Sequence, residues 1–91
     1  MTNLFEFVLL GTEGCHLCDL AVPIVVEVAQ HHQVTIMSED IAECDNAVAM
    51  VNRYGDKIPV LLHEYSNKSL DWPFDHQQVD IFIREVLADG C

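Results

Sequence analysis

The chain has 91 residues, 51% of them hydrophobic, and a formal charge of -11 with only four Lys/Arg. That length predicts one domain with a real but small core. The charge argues against a nucleic-acid binder, because so few cations cannot meet a phosphate backbone, and it disfavours adsorption to anionic membranes.

No apolar run reaches the roughly 18 residues that a membrane span needs. Met1–Glu6 carries no basic segment ahead of the short apolar run Phe7–Leu10. The expected address is therefore the cytoplasm, without a leader peptide. In that reducing compartment a close cysteine pair is more often catalytic or metal-binding than a structural staple.

In chain order, Phe5–Leu10 predicts a strand buried on both faces, and Gly11-Thr12-Glu13-Gly14 a loop. A helical stripe follows: Leu17, Leu20, Ala21, Ile24, Val25 and Val28 share one face. Pro23 interrupts that helix and removes a hydrogen bond. His31-His32 suits its C-terminal end, where imidazolium is favoured. Val34–Met37 predicts a second strand. Asp40-Ile41-Ala42-Glu43 resembles a capping box, opening a second helix with Cys44, Ala47, Val48 and Val51 on its apolar face. Tyr54-Gly55-Asp56 ends that helix.

Ile58–His63 predicts a third strand with Pro59 at its start, where proline is tolerated. Ser66-Asn67-Lys68 predicts a turn into a short fourth strand near Ser69-Leu70. Asp75 to Gln78 predicts a cap, and Val79, Phe82, Ile83, Val86 and Leu87 the stripe of a last helix. The order is β-α-β-α-β-β-α. A parallel first crossover and a terminal antiparallel hairpin give one mixed four-stranded α/β sheet with helices on both faces.

The chemistry centres on Gly14-Cys15-His16-Leu17-Cys18, between the first strand and the first helix. At a helix start, unpaired N–H groups and partial positive charge favour a thiolate on Cys15. Cys18, three residues on, falls on the same side of the helix. The pair thus supplies a nucleophile and a resolving thiol for disulfide exchange. An ordinary thiol is only about 3% thiolate at pH 7. The helix terminus and a protonated His16 raise that fraction, while Glu13 and Asp19 lower it. A modestly activated thiol follows.

Zinc is one alternative, since His16, His31, His32, His63 and His76 could join the thiols. A structural zinc site usually needs a second paired cluster, which the sequence lacks. An inert structural pair is the other, but inert cysteines are usually buried in apolar surroundings. Cys44 is expected to be a core thiol and Cys91 an exposed terminal one. Trp72 and Phe74 are expected to pack the hairpin against the last helix.

With these residues the chain resembles the thioredoxin superfamily: a C-x-x-C beside a βαβ pattern, Pro23 five residues past Cys18, and Tyr54-Gly55-Asp56-Lys57-Ile58-Pro59-Val60. Its size and the sequences Cys15-His16-Leu17-Cys18-Asp19, Ile58-Pro59-Val60-Leu61 and Trp72-Pro73-Phe74 are most similar to small bacterial glutaredoxin-like proteins. The resemblance implies a thioredoxin-like, glutaredoxin-type fold. It implies that Cys15 and Cys18 are the redox pair, that Pro59 is cis beside them, and that Ile58 offers backbone hydrogen bonds to substrate. Lys57 is the candidate contact for a substrate carboxylate.

Glutathione is the co-substrate such a resemblance suggests. The Gly-Gly-rich turn that glutaredoxins use to hold it is replaced here by Leu70-Asp71-Trp72-Pro73-Phe74. Glutathione is also anionic, and this chain is strongly acidic. The expected function is a thiol–disulfide oxidoreductase with no metal or bound cofactor. It would act as a monomer on a disulfide-containing protein or small thiol. The alternatives are a protein-binding module that kept the fold without the activity, and a thiol metal carrier.

Overall fold

The computed structural model describes residues 6–43, 45–64 and 66–89. The expectations for Phe5, Cys44 and Cys91 lie outside them. The elements run β1 (Glu6–Gly11), α1 (His16–His32), β2 (Thr35–Asp40), α2 (Ala47–Tyr54), β3 (Val60–His63), β4 (Lys68–Asp71) and α3 (His76–Asp89). Their order is the one the hydrophobic patterning predicts.

The strands form one sheet in the order β2-β1-β3-β4. β1 pairs parallel with β2, placing Phe7 opposite Ile36 and Leu9 opposite Ser38. It pairs antiparallel with β3, placing Leu9 opposite Leu61 and Leu10 opposite Val60. β3 and β4 form the antiparallel hairpin. β1 is buried on both faces because the sheet separates two apolar layers. Phe7, Leu9 and Leu61 meet Ala21, Val25 and Val28 of α1 and Val79, Phe82, Ile83 and Val86 of α3. Val8, Leu10, Val60 and Leu62 meet Ile41 and Tyr54, with Met50 and Ile58 packed alongside.

Three local readings are corrected. α1 does not bury Leu17 or Leu20, which are 42% and 47% exposed. Its buried residues are Ala21, Val25, Val28 and Ala29. Apolar residues occupy most sides of α1, so their spacing alone does not select the face. Asp40 does not cap α2 either. β2 extends through Asp40, whose Oδ1 accepts the Ala42 N–H at 2.9 Å, the local bond that makes Asp a turn residue. α2 begins at Ala47 behind Asn46, which makes no side-chain cap. Its apolar face also differs: Val48 and Val51 are exposed, and Met50 and Tyr54 face the sheet.

α3 follows the sequence closely. Asp75 and Gln78 form a reciprocal box: Asp75 Oδ1 accepts the Gln78 N–H at 2.8 Å, and Gln78 Oε1 accepts the Asp75 N–H at 3.1 Å. Asp75→Ala leaves one of these orphan donors unpaired and is expected to cost about 1 kcal/mol, read as a lower urea midpoint at unchanged slope. Across the helix pair, His32 at the end of α1 bonds Asp80 of α3, and His76 pairs with Glu27 at 3.2 Å. Trp72 and Phe74 stack edge to face with ring centres 5.0 Å apart and pack on the α1–α3 layer. Among the described residues no helix is long and apolar enough to cross a membrane.

Candidate active site

Every component of the site lies at the end of the sheet where β1 stops. Cys15 closes a turn by donating its N–H to the Thr12 carbonyl at 3.2 Å. Gly14 within that turn has φ +81°, a left-handed conformation that other residues rarely adopt. Cys15 is the extended N-cap of α1, and its Sγ accepts the Cys18 N–H at 3.2 Å. A sulfur thus occupies the position where a capping oxygen usually sits, against the positive end of a 17-residue helix.

Cys15 and Cys18 are joined as a disulfide, with Cα atoms 5.3 Å apart. Both residues are half-buried. On reduction, the helix terminus and the Cys18 N–H both favour negative charge on Cys15 over its partner. The two sulfurs are therefore unequal in their surroundings.

Pro59 flanks this corner. The Ile58–Pro59 peptide is cis, as is Trp72–Pro73. Since Leu10 pairs with Val60, continuing the antiparallel register by one residue brings Pro59 opposite Gly11. Pro59 is fully buried. Its carbonyl accepts the Trp72 N–H at 3.2 Å, tying the start of β3 to the residue after β4. Ile58 is half-buried, and its N–H is already committed to the Tyr54 carbonyl at 3.0 Å. Only its carbonyl is left to offer a substrate. Lys57 is exposed and donates its N–H to the same Tyr54 carbonyl at 2.8 Å. His16 is exposed at the first position of α1.

Three residues join the site that the motif did not reveal. Gly11 ends β1 directly against Cys18: a Cβ there would lie 2.9 Å from Cys18 Sγ. Trp72 reaches the site through Pro59. Asp40, at the end of β2, anchors the cysteine loop by accepting the Glu13 N–H on Oδ2 at 3.2 Å, with the Thr12 side chain as a further partner.

The hydrogen bonds hold the Asp40 carboxyl below its ordinary value, the Ala42 N–H first, then Thr12 and Glu13, against an opposing desolvation. A lowered carboxyl contributes stability above its unfolded value near pH 4 and loses it as the pH falls through the folded value. Asp40→Asn is therefore expected to lose less stability than the parent chain between about pH 6 and pH 3. Urea titrations at both ends of that window measure the difference.

Among the described residues, no group of three or more His, Cys, Asp or Glu side chains is placed to share a metal ion. His32 bonds Asp80, His76 pairs with Glu27, the His31 and His32 rings lie 6.0 Å apart, and buried His63 bonds Ser66 Oγ at 2.7 Å.

Residues 6–84 match the family model described as Glutaredoxin-like domain (DUF836). Among solved structures, the chain is similar to thioredoxin 1 from the thermophilic eubacterium Thermosipho africanus, with a TM-score of 0.68 at 16% identity, over 93% of this chain and 97% of that one. At that identity the likeness concerns the fold, which is thioredoxin-like. No curated protein matches the chain.

Proposed function

The chain belongs to the glutaredoxin-like domain family, and from that premise we propose that it is a thiol–disulfide oxidoreductase working through Cys15 and Cys18. The observation that carries this reading is the position of Cys15 Sγ at the N-cap of α1, bonded by the Cys18 N–H and linked to Cys18 itself.

In the reduced protein the Cys15 thiolate attacks one sulfur of a substrate disulfide. A Cys15–substrate disulfide forms, and the other substrate sulfur leaves as a thiolate that takes a proton from water. The Cys18 thiolate then attacks Cys15 Sγ. The Cys15–Cys18 bond forms, and the second substrate thiol departs. The substrate gains two electrons and the protein loses two. An external dithiol or two monothiols restore the reduced pair.

The other residues serve substrate placement. Pro59, buried opposite Gly11, fixes the backbone of that segment, and the Ile58 carbonyl accepts a backbone N–H of a bound polypeptide. Lys57, exposed in the same segment, is assigned to a substrate carboxylate. His16, when protonated, adds positive charge next to the Cys15 thiolate.

Catalysed reduction of a protein disulfide such as insulin's, with dithiothreitol as electron donor, tests the reading. Turnover above the rate of dithiothreitol alone is the expected result. A rate equal to that background would leave a binding module instead.

A further inference from the structure

We propose that this site selects disulfides flanked by positive charge, above all those in basic polypeptide segments, over anionic disulfides such as glutathione disulfide. The inference rests on the oxidoreductase reading and names its substrate class.

A hollow of about 320 Å³ opens directly on Cys18, between the end of β1, the first turns of α1 and the end of β2. Buried Leu9 and Leu10, with Gly11, line it from beneath, and Val22 is its exposed apolar side chain. Its polar lining includes four carboxylates, on Glu13, Asp19, Glu39 and Asp40. The chain's four cations, Arg53, Lys57, Lys68 and Arg84, are absent from it. A second hollow of about 430 Å³ shares Ser38, Glu39 and Asp40 with the first and adds Glu43 and Asp45. The acidic lip thus continues from Cys18 across the end of β2 toward α2.

A lip of one sign focuses its field on the opening, and the overall charge of -11 extends that field into solvent. Each glutathione half carries a net negative charge and is repelled on approach. A Lys- or Arg-bearing segment is attracted, and its aliphatic stems suit the exposed Val22. The hydrogen bonds to Asp40 favour its charged form.

The test follows oxidation of the reduced protein in single-turnover mixing with excess cystamine (dicationic), hydroxyethyl disulfide (neutral) or dithiodipropionate (dianionic). Acid quenching, alkylation and mass spectrometry report closure of Cys15–Cys18. Each rate is expressed relative to the neutral disulfide.

The cystamine-to-dithiodipropionate ratio is expected to fall about tenfold from about 20 mM to about 500 mM salt. It should fall by a similar factor, at low salt, when Glu13→Gln, Asp19→Asn and Glu39→Gln are combined. The salt series on the unaltered chain stands even if that triple variant folds poorly. A ratio insensitive to both salt and substitution overturns the charge selection while leaving the redox reading intact. A lip that favours the dianion does the same. Failure of all three disulfides to close Cys15–Cys18 sinks both.

Discussion

Cys15→Ser is expected to abolish disulfide reduction, by at least about a thousandfold, without unfolding the protein. A hydroxyl ionises far too weakly to replace a thiolate nucleophile at neutral pH. Serine nonetheless is a strong N-cap residue, and its oxygen can accept the Cys18 N–H that Cys15 Sγ accepts now. The helix start is therefore preserved while the chemistry is lost. Far-ultraviolet circular dichroism and the urea midpoint, compared with the reduced parent chain, report the first. The rate reports the second.

Cys18→Ser is expected to fail one step later. Cys15 still attacks, but no thiol resolves the mixed disulfide, so substrate stays attached to Cys15. Intact mass should rise by one substrate half, mapped to the peptide containing Cys15. Equal loss of attack in both variants would contradict the inequality of the two sulfurs that the N-cap geometry creates.

The second large effect concerns Gly11. An alanine methyl at this position would lie 2.9 Å from Cys18 Sγ and 3.3 Å from its Cβ. In the oxidised protein Cys18 Sγ is tethered to Cys15 and cannot turn away. In the reduced protein it is free to rotate about χ1. Gly11→Ala thus penalises the oxidised form more than the reduced form. Overpacking of this kind costs about 1–3 kcal/mol, which corresponds to a rise of about 20–60 mV in the two-electron potential.

Equilibration with a dithiothreitol redox buffer measures the shift. In a Cys18→Ala background the sulfur is gone and only the 3.3 Å contact with the Cβ remains, so Gly11→Ala should cost less stability there than in the oxidised parent chain. An unchanged potential in the single variant would mean that Cys18 Sγ does not rest on the end of β1.

Both predictions depend on residues of very different visibility in the sequence. Cys15 and Cys18 announce themselves through spacing and through the strand–helix boundary they occupy. α3 is equally plain, because Val79, Phe82, Ile83 and Val86 hold a clean helical period behind a reciprocal cap. β1 reads correctly as a strand buried on both faces because four consecutive apolar residues alternate between two apolar layers.

Gly11 has no such signature. Its role arises from where β1 ends beneath the first turn of α1, a contact that no local pattern encodes. Trp72 likewise reaches Pro59 only through the pairing of β3 with β4. Asp40 illustrates a different difficulty. Asp40-Ile41-Ala42-Glu43 satisfies the residue rule for a capping box, yet the same aspartate can bond the N–H two residues on. β2 runs as far as Asp40 and selects the second use, with the remaining oxygen bonded to the Glu13 N–H of the cysteine loop. On α1, Leu17 and Leu20 fit an apolar stripe as well as Ala21 and Val25 do. Only the sheet beneath the helix decides which of them is covered.

The central claim is that Cys15 and Cys18 act as one two-electron couple toward an external disulfide. Its most direct test is a single-turnover titration of the reduced protein with hydroxyethyl disulfide, counting the thiols released and mapping the protein disulfide formed. The account predicts two product thiols per chain and a bond between Cys15 and Cys18. One thiol per chain, or a bond that maps to Cys44 or Cys91, would contradict it.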